Sequence, residues 1–150
     1  MGKILAESLI WKEFFKKGTT REAIILEKLI KENKIAICGY SLIKLLKDLN
    51  DKETFKKLLK GLLVLPYVEI EKEDWIKASK IVFEFKGLST ELGLLCALSQ
   101  GKSLKILTKN KGIEEIKGVK LYEDAGAFSI SAIARIMVLT QIDAVLKTLK

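Results

Sequence analysis

Glu7 stands where two sequence patterns meet. The stretch KILAESLIWKEFF, residues 3–15, is a short apolar run that passes straight into an acid. Ser8 follows, then apolar residues at helical spacing: Leu9, Trp11, Phe14 and Phe15. A carboxylate placed directly after a strand can accept hydrogen bonds or face a cation, so its partners decide its role. The rest of the chemical inventory is narrow. The chain has no histidine, which excludes histidine acid–base catalysis and histidine metal ligation. Its two cysteines, Cys38 and Cys96, lie in apolar contexts without CxxC spacing and read as buried free thiols of a cytoplasmic protein. Carboxylates, hydroxyls, amides and lysines remain.

The elements that must position these groups follow from hydropathy. Residues 3–6, 34–38, 64–70, 103–107 and 119–123 read as strands, with Pro66 placing the third at an edge or an irregular point. Helical periods fill the intervals 8–16, 20–33, 41–49, 52–62, 72–86 and 91–100. Gly18, Gly39, Gly87 and Gly101 punctuate them, and Thr19 or Thr20, Ser41, Asp51, and Ser89 or Thr90 are the candidate caps. Residues 108–118 read as a loop with one helical turn. Strands alternating with helices predict an α/β fold, a three-layer α/β/α domain around a mostly parallel sheet of about five strands. In such folds the working site lies outside the carboxyl ends of the strands, at a topological switch point. The residues to inspect are therefore Glu7 and Ser8, Cys38 to Ser41, Thr108 to Lys111, and the start of the helix at residue 90.

At 150 residues and 49% apolar content, one globular domain is the simplest organisation. The net charge is +8, and 25 of the 27 basic residues are lysine. That excess attracts phosphate backbones. The mixing of lysine with glutamate on helix faces, as in Lys52, Glu53, Lys56, Lys57 and Lys60, equally describes a solvated surface, a habit of thermophile proteins. Glu13 and Glu22 are expected on such faces. No signal peptide or membrane span is expected, because Glu7 interrupts the first apolar run.

Several segments, in this order, resemble the PIN-domain family, whose members include VapC-like ribonuclease toxins. ILAESLIWKEFF is similar to the family's first strand, acid and helix. IAICGYSLIKLL, VLPYVEIEKEDWIKASKI, LSTELGLLCALSQGKSLKILTKN and IKGVKLYE are similar to the segments that follow, and the likeness spans roughly residues 3–123. The resemblance implies a nuclease-like pocket in which three or four carboxylates hold Mg²⁺ or Mn²⁺ and the metal readies water against a phosphodiester. It also implies RNA or an antitoxin-like protein as partner.

Carried over position by position, the family's acidic site falls on Glu7, Lys44, Thr90 and Asn110, with Glu91 beside the third. One carboxylate remains where the pattern has at least three. The resemblance therefore implies a degenerate site, in which the Lys44 ammonium pairs with Glu7, no metal or cofactor is held, and Glu7 is a remnant. Thr90 then reads as a helix cap and Asn110 as a loop hydrogen-bonder. A binding or regulatory protein is the leading expectation. An active Mg- or Mn-dependent endoribonuclease using Glu7, with Glu91 or Glu114 as substitute ligands, is the alternative, and a structural or assembly subunit is the third.

Residues 125–150 lie beyond the likeness. Ile130, Ile133, Met137, Val138, Ile142, Val145, Leu146 and Leu149 form a broad apolar stripe at near-helical spacing. It is expected to pack on the chain's own 1–124 domain or on a second copy, which would make a homodimer.

Overall fold

The computed structural model describes residues 3–16 and 20–123. Five strands alternate with six helices: β1 (Ile4–Ala6), α1 (Ser8–Phe15), α2 (Arg21–Lys31), β2 (Ile35–Cys38), α3 (Gly39–Leu46), α4 (Lys52–Leu62), β3 (Tyr67–Val68), α5 (Lys72–Glu84), α6 (Thr90–Lys102), β4 (Lys105–Leu107) and β5 (Lys120–Leu121). A 3-10 turn at Lys111–Glu115 links the last two strands. The strands form one parallel sheet in the order β3-β2-β1-β4-β5. The expected α/β fold is the one adopted.

Alternation within the strands divides the core into two layers. Ile4, Ala6, Ile35, Ile37 and Leu107 face α1 to α4, where they meet Ile10, Trp11, Leu26, Leu29 and Leu45. Leu5, Ala36, Cys38 and Ile106 face the other way, onto α5 and α6. β1 and β2 are buried on both faces, which is why they read as unbroken apolar runs. β3 is a two-residue edge strand beginning directly after Pro66, shorter than the expected 64–70. Proline has no N–H to give a ladder, and the Pro66 carbonyl instead accepts from the Ile37 N–H at 2.9 Å.

Helix α6 is buried along nine consecutive residues, Glu91 to Ser99, so it carries little amphipathic signature. It is held between the sheet and α5. The approach to α5 is close at Gly93, where an added Cβ would lie 2.3 Å from Val82 Cγ1. α6 also runs past Gly101, the expected stop, and ends at Ser103 in a left-handed conformation (φ 55°). Gly101 serves packing, since a Cβ there would press on Asp74 Oδ1 at 3.3 Å. The caps are Thr20, Asp51 and Ser89, each accepting from a first-turn N–H. Cys38 and Cys96 are buried free thiols, and burial raises Cys96 to about 11. No described helix is long and apolar enough to cross a membrane. The expected boundary near residue 124 and the helical extension after it lie outside the described residues.

Gly93→Ala should cost about 1–3 kcal/mol through overpacking against Val82, read as a lower urea midpoint. Val82→Ala in the same chain should recover part of that loss. Gly61→Ala, on exposed α4 with open space around the Cβ, should instead raise stability by up to about 1 kcal/mol.

Candidate functional site

The sheet order places β1 between β2 and β4, so the chain reverses its direction of winding at the β1–β4 boundary. The crevice beyond the carboxyl ends of these two strands is the switch point. Glu7 sits there. Its N–H donates to the Leu107 carbonyl at 3.0 Å, extending the β1–β4 ladder by one bond. Its carboxylate oxygen Oε1 accepts from the buried Thr108 hydroxyl at 2.6 Å. Thr108 Oγ1 in turn accepts the Asn110 N–H at 3.0 Å, and Asn110 Oδ1 accepts from the Gly112 N–H at 3.1 Å. Asn110 is exposed and commits its oxygen to the loop, as its turn chemistry predicts.

The second carboxylate of the crevice comes from α6. Ser89 caps that helix, which leaves Thr90 exposed and turns Glu91 inward. Glu91 is only 4% exposed. It receives two hydrogen bonds from Ser8, the backbone N–H at 3.0 Å and the hydroxyl at 2.7 Å. Ser8 is the first residue of α1, and Glu7, the residue preceding that helix, makes no side-chain cap. Glu91 therefore caps α1 from 83 residues away in sequence. Burial pushes its carboxyl above the ordinary range, and the negative charge of Glu7 adds to the shift. The Ser8 bonds and the positive charge of Lys44 act against it.

Two lysines bring positive charge to these acids. Lys44, on α3, is half-buried and its field reaches Glu91. The expected Glu7–Lys44 ion pair is not made: among the described residues Lys44 has no salt bridge, and the hydrogen bond to the Glu7 carboxylate comes from Thr108. The ion pair at the crevice belongs to Lys109, directly after Thr108, which donates to Glu13 of α1. Glu13 also accepts from the Thr20 hydroxyl at 2.8 Å. The Lys109 bond holds the Glu13 carboxyl below its usual range. The same bond raises Lys109, and the negative charges of Glu13, Glu22 and Glu7 add to the rise. Glu13 and Glu22, expected on solvated faces, are thus part of this charge cluster, and Glu22 also lies 3.8 Å from Arg21.

Of the residues expected at the site, Glu7 and Glu91 lie together, Lys44 stands within electrostatic reach, Thr90 faces solvent, and Asn110 belongs to the loop. Glu114 is exposed on the 3-10 turn. Ser89, not Thr90, is the cap, and Glu91, expected beside the third position, is the residue that turns inward. Sequence reading missed Lys109 as a partner for these acids, and its place just after β4 was the available signal. Mg²⁺ or Mn²⁺ takes several convergent hard oxygens near octahedral geometry. Here both Glu91 oxygens accept from Ser8, Glu7 Oε1 accepts from Thr108, and no group of three metal-binding side chains occurs among the described residues.

No family model matches the chain, and no curated protein is significantly similar to it. Solved structures do match. A toxin–antitoxin complex from Klebsiella pneumoniae aligns with a TM-score of 0.62 at 19% identity, over 81% of this chain and 100% of that one. DNA-bound VapBC from Salmonella typhimurium gives 0.62 at 16% identity, over 81% and 98%. VapBC2 from Rickettsia felis, bound to a promoter DNA fragment, gives 0.61 at 20% identity, over 79% and 96%. The chain has the VapC-like PIN fold that the order of its segments implied.

The Glu91 shift fixes the sign of a pH effect. With its folded value above the unfolded one, the stability associated with Glu91 is fully present below about pH 4.5, the unfolded value, and is lost as pH rises through the folded value. Glu91→Gln keeps an acceptor for the Ser8 N–H and cannot ionise. Its stability relative to the native chain should climb across that window and then level off, as read by urea unfolding at a series of pH values. Glu91→Ala leaves both Ser8 donors unanswered and should cost about 1–3 kcal/mol throughout.

Proposed function

We propose that this chain is a non-catalytic, PIN-like binding protein whose partner is a protein of the antitoxin kind, its acidic crevice being neutralised by its own lysines. The observation that carries this reading is the engagement of every carboxylate at the switch point. Glu7 is bonded by Thr108, Glu91 by Ser8, and Glu13 by Lys109 and Thr20. Lys109 places positive charge near Glu13, Glu22 and Glu7, and Lys44 places it near Glu91. An ammonium near such a crevice lowers the attraction for a divalent ion by like-charge repulsion.

The protein partner is inferred from the three structural neighbours, each solved as a toxin–antitoxin assembly. At under 25% identity they share a fold with this chain, so the partner belongs to the proposal. A second reading rests on the net charge of +8: the lysine-rich surface engages RNA without cutting it. RNA affinity of that origin falls steeply as salt rises.

Incubating the full chain with RNA and Mg²⁺ or Mn²⁺ tests the central claim. No metal-dependent cleavage should appear, and Glu7→Gln, which can still accept from Thr108, should behave as the native chain does. Metal-dependent cleavage that disappears in Glu7→Gln would overturn the reading in favour of an active endoribonuclease.

A further inference from the structure

Away from the crevice, on the sheet face that carries α1 to α4, lies an open groove of about 670 Å³. Phe15 from the end of α1, Leu45 and Leu49 from α3 and the turn after it, and Leu58 from α4 give it an apolar floor, with Lys16 and Lys57 at its edge. Leu45 and Leu58 belong to the core layer on that face. Leu45 is buried, Leu49 and Leu58 are half-buried and Phe15 is 38% exposed, so apolar surface stays open to water here. An apolar groove of this kind fits an amphipathic helix.

The sequence beyond the described residues carries the pattern of one. The described fold ends at Glu123, and the residue before it, Tyr122, packs into the same core layer as Leu45 and Leu58. Tyr122 thus places the end of the described fold against the sheet face that carries the groove. β5 stands two strands from β1, about 10 Å across the sheet, and β1 leads into α1, whose last turn forms one wall. Twenty-seven residues follow Glu123. As a helix they would span about 40 Å, ample for a domain whose radius of gyration is about 14 Å. Their apolar positions, from Ile130 to Leu149, recur close to helical period, with Arg135, Gln141, Asp143 and Lys147 between them.

We propose that residues 127–149 dock in the α1–α3–α4 groove of their own chain and close it to any other apolar helix. Tethering favours this over exchange between copies. A segment joined by a short linker meets its own groove at an effective concentration of the order of millimolar, above that of a free second chain. The inference is independent of whether the crevice is catalytic, since it concerns a different face of α1.

Photo-crosslinking in the full chain tests it. A photoreactive amino acid replaces exposed Lys57 in one variant and exposed Lys16 in another, so that neither change disturbs the core. A third carries it at exposed Lys80, on α5 at the opposite face. Each variant is irradiated as an equal mixture of light and heavy isotope-labelled copies. Positions 57 and 16 should give crosslinks to residues 127–149 within one copy, and position 80 should give none. Met137→Asp, which places a charge in the apolar stripe, should abolish them. Crosslinks joining light to heavy copies would overturn the proposal in favour of a dimer. Absence of any crosslink to 127–149 from both groove positions would overturn it in favour of a groove left for a separate partner.

Discussion

A carboxylate reaching across the switch point organises the described fold. Glu91 takes both donors of Ser8, and in doing so joins the first turn of α6 to the first turn of α1. These helices lie on opposite faces of the sheet, so the bond ties the two core layers together at the one place where the winding reverses. The contact is costly in isolation, because an acid is taken out of water. Two things offset the cost. The Ser8 groups at the start of α1 would otherwise lack acceptors, and the positive end of a helix dipole favours negative charge nearby. The direction of the Glu91 shift shows that burial outweighs these offsets for the ionised form.

Around that bond the charges are arranged by reach. Lys109 lies two residues past β4, beside the residues that follow β1, and the carboxylate it meets is Glu13, about a turn and a half along α1. Lys44 approaches from α3 and meets the field of Glu91. On the proposed reading these two ammonium groups do what a bound cation does elsewhere, which is to let acids stand close without mutual repulsion. They do so without offering a reacting water or an open coordination position. Neutralisation and reactivity are separable, and lysine supplies only the first.

The order and type of the elements were legible because each strand and most helices carry a clean period. IAIC could only be a buried strand, and KETFKKLLKGL, with Asp51 before it, could only be a capped helix. α6 was legible by its cap and its length, since a helix buried all round has no period to read. Glu7 was found because a site in a parallel sheet must lie beyond a strand's carboxyl end. Its true partner was not, since Thr108 and Glu7 are 101 residues apart and nothing local in the sequence records that bond. Ser89 and Thr90 are both competent caps, and which of them caps decides whether Thr90 or Glu91 turns inward. Lys44 was expected to pair with Glu7, whose hydrogen bond comes from Thr108 instead, because helical register tells which face a residue shares and not how far its head group extends.

On the proposed reading, the crevice is a pocket that outlasts its chemistry. The switch point of a parallel sheet is polar whatever it does, because strand ends and helix N-termini converge there with unanswered N–H groups. Acids and hydroxyls at those positions are needed to satisfy the backbone even where no substrate is bound. Glu7, Ser8, Glu91 and Thr108 meet that need among themselves. Conversion of a reactive site into an architectural one then requires little change. The carboxylates need only find donors within the chain, and the excess charge needs a cation with no vacant position. Such a site keeps its shape under mutation pressure for reasons of stability. Acid residues at a strand end are therefore weak grounds for inferring catalysis until their oxygens are shown to be free.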